Sequence, residues 1–144
     1  MLRLNRETDY AIRVILALAK RPPGEITPSA VIRQEMLLPE SLSLQIISHL
    51  AHLNLIKTYP GRNGGIQLAH PAAEITLYDV VHGLEGPLYL SQCLEEGHQC
   101  QLAPGCPVQD YWKELRGKIE KELKGTNFQN LSETVPQGST EQVK

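Results

Sequence analysis

Cys93, Cys100 and Cys106 are the only cysteines of the chain, and they fall within fourteen residues at the spacing C-x6-C-x5-C. Thiolates are soft ligands, so three in one segment can converge on zinc, iron or an iron–sulfur cluster. Three is one fewer than a tetrahedral or cluster site takes. A fourth ligand has to come from elsewhere in the chain or from another subunit. Two other readings stay open at this point: reduced thiols without metal, and one disulfide with a spare thiol. An odd count weighs against a disulfide framework. So does the start M-L-R-L-N-R-E-T-D, which lacks the apolar run of a secretion signal and leads us to expect a cytoplasmic protein. The gaps are not the CxxC knuckles of zinc sites, so the spacing takes its force from what flanks it.

The flanks are patterned and the segment itself is not. Gly97, Pro104, Gly105 and Pro107 interrupt it, and it has little helix or strand period, so an irregular loop is expected. Ahead of it, Ala11, Val14, Ile15 and Leu18 recur at helical spacing. They predict a first helix with Asn5 as N-cap, ended by Lys20-Arg21 and stopped by Pro22-Pro23-Gly24. Glu7 and Asp9 fall in its first turns, where acidic groups complement the helix dipole. Thr27-Pro28 opens a short second helix to about Gln34, and residues 36–39 form a turn. A third helix from Glu40 is expected to bury Leu42, Ile46, Ile47, Leu50 and Leu53. Its other face would show Ser41, Ser43, Gln45, Ser48, His49 and His52. Residues 55–59 and 66–69 read as two strands about the turn Pro60-Gly61-Arg62-Asn63-Gly64-Gly65.

Three helices and such a hairpin make a winged helix-turn-helix. A fourth helix follows, with Leu77, Val80, Val81 and Leu84 at helical spacing, closed by Gly86-Pro87. Beyond the cysteines, a long helix from Pro107 to about Lys124 carries one narrow apolar stripe: Val108, Trp112, Leu115, Ile119 and Leu123. The remaining positions are mostly charged. No free partner helix is left in the chain, so the stripe reads as a dimerisation helix. The expected fold is mainly α: a winged helix-turn-helix domain with a two-stranded wing over residues 1–75, then the cysteine loop and dimerisation helix over 76–131. Residues 132–144 are polar, lack periodicity and are expected to be a disordered tail.

With 144 residues, 41% hydrophobic and a net charge of -2, the chain is an ordinary globular one, and no apolar run approaches the roughly 20 residues of a membrane span. Residues 1–75 hold eight Lys/Arg against six Asp/Glu, a net of +2, and the rest hold six against ten, a net of -4. The first half is mildly basic, which permits nucleic-acid binding without announcing it. An enzyme is not expected: there is no phosphate-cradling Gly-rich loop after a strand, no paired-carboxylate pocket and no nucleophile–base pattern.

These residues resemble the IscR/NsrR family of bacterial winged-helix iron–sulfur transcription regulators over roughly residues 1–131. The resemblance is carried by L-N-R-E-T-D-Y-A-I-R at the start, by L-A-H-L-N-L-I-K-T-Y-P-G-R-N-G-G-I-Q-L-A through the wing, and by three cysteines after L-E-G. It implies a homodimer with crossed long helices and an iron–sulfur cluster, 2Fe–2S or 4Fe–4S, that alters DNA affinity. Cys93, Cys100 and Cys106 would be its thiolate ligands. One branch of the family takes a histidine three residues after the last cysteine as fourth ligand, but that position is Gln109 here. Another takes an acidic residue from the first helix of the partner subunit. The matching residue in T-D-Y-A is Asp9, with His98 inside the loop as rival and Glu7 a more distant candidate. The first gap is x6 where the family more often has x5.

The expected partner is double-stranded DNA, at a pseudo-palindromic operator whose half-sites lie about one turn apart. Ser41, Ser43 and Gln45 on the third helix are the expected base readers, since Gln bonds adenine and Ser bonds either partner. Arg62 at the wing tip suits a narrow minor groove, and Arg33, Lys57 and Arg13 suit phosphates. His49 and His52 read as a solvated or phosphate-facing surface. The third helix holds no Lys or Arg, so affinity is expected to rest on the wing, on helix N-termini and on doubling through the dimer. The alternative is a regulator of the same fold that senses zinc or thiol oxidation at the cysteines, with no cluster.

Overall fold

The computed structural model describes residues 3–134. In chain order the elements are α1 (Arg6–Ala19), α2 (Ser29–Glu35), α3 (Glu40–His52), β1 (Ile56–Tyr59), β2 (Gly65–Leu68), α4 (Leu77–Glu85), α5 (Pro107–Lys124) and α6 (Phe128–Glu133), with short 3-10 turns at Ala72–Glu74 and Gln92–Leu94. This is the expected winged helix-turn-helix followed by a long helix.

The apolar core forms around α1. Ala11, Val14, Ile15 and Leu18 turn one face of that helix inward against Ile32 of α2, Ile46 and Leu50 of α3, and Ile56 and Ile66 of the wing. Ile75, Val80 and Phe128 belong to the same core, so α4 and α6 close the fold that α1 to β2 begin. Phe128, the chain's one phenylalanine, is fully buried where α6 packs on α1. The sequence reading did not single out this anchor. Ser132 and Glu133, placed in the polar tail, also lie in α6. Thr134 is its C-cap, and 135–144 lie outside the described residues.

The wing is an antiparallel pair in which Ile56 opposes Leu68 and Tyr59 opposes Gly65. Thr27 adds a third edge: its N–H donates to the Ile66 carbonyl over 3.0 Å, and the Ile66 N–H returns a bond of 2.8 Å. Gly65 permits this close approach, because a Cβ there would lie 2.2 Å from the Thr27 carbonyl oxygen. Gly64 is equally constrained, with a Cβ falling 2.0 Å from the Tyr59 oxygen. The G-G pair of the wing motif is therefore a packing requirement.

One helix start differs from the sequence reading, and another takes its expected cap residue without a cap bond. Asn5 takes the N-cap of α1, but its side chain makes no cap bond, and its backbone N–H donates to Glu85 Oε1 at the end of α4 over 2.7 Å. Pro28, rather than Thr27, precedes α2 as N-cap, since Thr27 is engaged with the wing. Thr76 caps α4 as a full capping box with Asp79.

α5 stands apart from the core. None of its eighteen residues is buried, and it packs chiefly on α4 and the 3-10 turn at Cys93.

Candidate nucleic-acid interface and cysteine segment

The exposed face of α3 is a single stripe: Ser41, Leu44, Gln45, Ser48, His49 and His52, the i, i+3, i+4 spacing of one helix side. Ser43 is not on it. It is 4% exposed, beside the core residues Ile46 and Leu50, and its hydroxyl donates to the Glu40 carbonyl over 3.0 Å. The expectation that Ser43 reads bases is corrected here: three residues before Ile46, it falls on the buried side. Leu44, which the sequence reading did not single out, takes the outward place and is 78% exposed. The signal was available in the spacing 43-46-50, masked by the polarity of Ser43.

The start of α1 reaches α3. Glu7 pairs through Oε1 with His49 Nδ1 and accepts from Gln45 Nε2 over 3.4 Å. Glu7 thus braces α3, which goes beyond a helix-dipole role. Arg13 bonds Asp9 Oδ2 (2.9 Å) and the Met36 carbonyl (3.4 Å) and lies over the Tyr10 ring. It is therefore occupied in joining α1 to the α2–α3 turn. Arg21 holds the same C-terminal end of α2, donating to Glu35 over 2.6 Å and to the Ala17 carbonyl over 2.7 Å. Its bond holds the Glu35 carboxyl below the usual carboxylate range.

Arg62 and Lys57 are exposed on the wing, and Arg33 is half-buried with its guanidinium 3.8 Å from Glu40 at the start of α3. The wing face also carries a Tyr59 hydroxyl that accepts from Gln67 over 2.7 Å.

The cysteine segment joins α4 to α5. Cys93 lies in the 3-10 turn, and its thiol donates to the Ser91 hydroxyl over 3.3 Å. Cys100 lies in irregular backbone, and Cys106 is the N-cap of α5. All three are free and half-buried. Gln109, in the first turn of α5, donates to the Cys93 carbonyl over 3.1 Å and so ties the two ends of the segment together. His98 is exposed, and Asp9 is engaged by Arg13. Among the described residues, no three His, Cys, Asp or Glu side chains gather closely enough to hold a metal ion. The donor set nonetheless suits a soft-metal group. Three unbridged thiols sit on a segment whose backbone bonds are short turns such as Leu94 to Ser91 and Ala103 to Cys100, so no ladder holds them apart.

Between α4 and α5 lies an apolar cavity of about 270 Å³, lined by Leu4, Val81, Leu88, Ile119 and Leu123 among others. Of the stripe expected on α5, Val108 is 58% exposed, and Trp112, Leu115, Ile119 and Leu123 are half-buried. No helix among the described residues is long and apolar enough to cross a membrane.

A helix-turn-helix with a two-stranded wing and a long outlying helix is the architecture of winged-helix transcription regulators. The chain belongs to the Rrf2 family, whose model, described as "Iron-dependent Transcriptional regulator", matches residues 4–134. The protein aau3 of Rhizobium meliloti is 30% identical over 94% of this chain and 88% of its own length. The HTH-type transcriptional regulator NsrR of Oceanobacillus iheyensis is 31% identical over 74% of each chain. Among solved structures, CymR, the global cysteine regulator of B. subtilis, superposes with a TM-score of 0.77 at 25% identity, covering 94% of this chain and all of that one. The protein is thus a transcription regulator and not an enzyme, as the motifs implied.

Proposed function

We propose that the protein is a cytoplasmic, homodimeric DNA-binding regulator whose operator affinity is set at the cysteine segment by an iron–sulfur cluster. The observation that carries this reading is the position of three free thiols on the one irregular segment between the DNA-binding core and α5. Cys93, Cys100 and Cys106 would hold the cluster. The partner subunit's Asp9 is the proposed fourth ligand and His98 its rival. When bound, the cluster supplies a redox- and nitric-oxide-sensitive cross-link. The chain's own residues carry the rest. Gln109 keeps the Cys93 turn on α5, Glu85 keeps the end of α4 on the start of α1, and Arg13 links Asp9 to the α2–α3 turn. A change at the cysteines therefore has a bonded route to α3 through the first turns of α1.

For DNA, Ser41 and Gln45 would read base edges, Arg62 would enter a minor groove, and Lys57 and Arg33 would hold phosphates. Val108, Trp112, Leu115, Ile119 and Leu123 of α5 would meet a second copy. The unburied state of that helix and the apolar cavity beside it favour this reading.

One observation favours a second reading, in which the thiols themselves are the sensor through oxidation or zinc: in a single chain they are half-exposed and not gathered. Absorption spectra with iron and sulfide assays on protein purified without oxygen separate the two. Broad visible bands with matching iron and sulfide are expected. A colourless sample without iron, even after reconstitution, would overturn the cluster reading and leave thiol or zinc sensing.

A further inference from the structure

The face that α3 presents outward contains a large apolar side chain where a charged or amide group would be the ordinary choice for DNA. Leu44 is 78% exposed, takes no part in the core and sits between Ser41 and Gln45 in the N-terminal half of the helix. Leaving a leucine in water forgoes the stabilisation that burial would give. Its place is also where helix-turn-helix proteins bring side chains to base edges. The major-groove edge of a duplex offers one methyl, at C5 of thymine, among its hydrogen-bond donors and acceptors. The helix carries no Lys or Arg to reach guanine bidentately, and the wing with Lys57 and Arg62 supplies the positive charge for the backbone.

We infer that Leu44 is a specificity-determining residue that packs on the C5-methyl of a thymine in each operator half-site, between the bases contacted by Ser41 and Gln45. The inference rests on α3 being the recognition helix. Burying one methyl is worth about 0.8 kcal/mol, which corresponds to a preference of about fourfold per half-site for thymine over the same base without its methyl.

The test uses the full chain and synthetic duplexes. A sequence is first enriched from a randomised duplex pool. It is then remade with deoxyuridine replacing one thymine at a time, which removes the methyl and leaves every hydrogen-bonding group in place. Affinities are read by fluorescence anisotropy at one salt concentration. The expected result is one thymine per half-site whose replacement weakens binding about fourfold. Leu44→Ala should bind the two forms alike, and Leu44→Met, which keeps the apolar reach, should retain part of the preference. The exposed position makes loss of folding no obstacle to either variant. Equal affinity of the wild type for all deoxyuridine forms would overturn the inference and leave α3 as recognition helix. It would assign Leu44 instead to a protein contact. A preference that Leu44→Ala keeps unchanged would also overturn it. If no sequence is enriched, or if Ser41→Ala and Gln45→Ala enrich the wild-type sequence with undiminished affinity, the recognition-helix reading falls, and this inference with it.

Discussion

The backbone N–H of Asn5 donates to Glu85 Oε1 over 2.7 Å, so the first residue ahead of α1 is fastened to the last residue of α4. This bond joins the helix that carries Glu7 and Asp9 to the helix that leads into the cysteine segment. A carboxylate accepting a backbone N–H is a charge-assisted bond, stronger than a neutral one and reduced by partial exposure. Glu85→Ala should lower stability by about 1 kcal/mol, while Glu85→Gln, which keeps an acceptor oxygen, should lose less. Denaturant unfolding of the two variants checks the order. Equal losses would mean that the bond contributes nothing beyond the packing of the side chain.

The Arg21–Glu35 pair predicts an acid-sensitive link between α1 and α2. Hydrogen bonding to Arg21 lowers the Glu35 carboxyl, so the pair's contribution is present above the ordinary glutamate value of about 4.3 and disappears as pH falls through the lower folded value. Glu35 is 41% exposed, which limits the effect to a few tenths of a kcal/mol. Stability measured from pH 6 downward, through about pH 4.3, should fall less steeply in Glu35→Gln than in the wild type. Identical slopes would remove the pair from the account.

Phe128→Ala should be far more costly. Deleting a fully buried phenylalanine removes about 3–5 kcal/mol and should lower Tm by roughly 10 °C. A shift of only a degree or two in a thermal melt would show that α6 is not part of the core.

Arg62→Ala should weaken operator binding about tenfold and make its salt dependence shallower by about one contact per subunit, with Tm unchanged because the side chain is exposed on the wing. Anisotropy titrations at two salt concentrations check both. Unchanged affinity would take the wing off the DNA.

The core of this fold was legible because α1, α4 and the wing bury residues at regular spacing, with glycine and proline marking the stops. Where polarity and periodicity disagreed, periodicity won: Ser43 turned inward on the 43-46-50 stripe and Leu44 outward, against what their chemistry suggested. Contacts between distant residues were invisible in principle. Glu7 and His49 are 42 positions apart, and nothing local pairs them. Asn5 was read correctly as a cap position, but its partner, Glu85, is 80 residues away. The cysteine segment was legible as an irregular loop, since Gly97, Pro104 and Gly105 break every period. Phe128 was missed because a six-residue helix carries too few apolar positions to show a pattern.

The central claim is that the cysteine segment sets DNA affinity. The direct measurement is an anaerobic anisotropy titration of the enriched duplex with cluster-loaded wild type and with a Cys93→Ser, Cys100→Ser, Cys106→Ser variant, at one salt concentration. The account predicts affinities that differ by about tenfold or more, with the melting behaviour of α1 to β2 preserved, since none of the three cysteines belongs to the core. Equal affinities of the two proteins would contradict it.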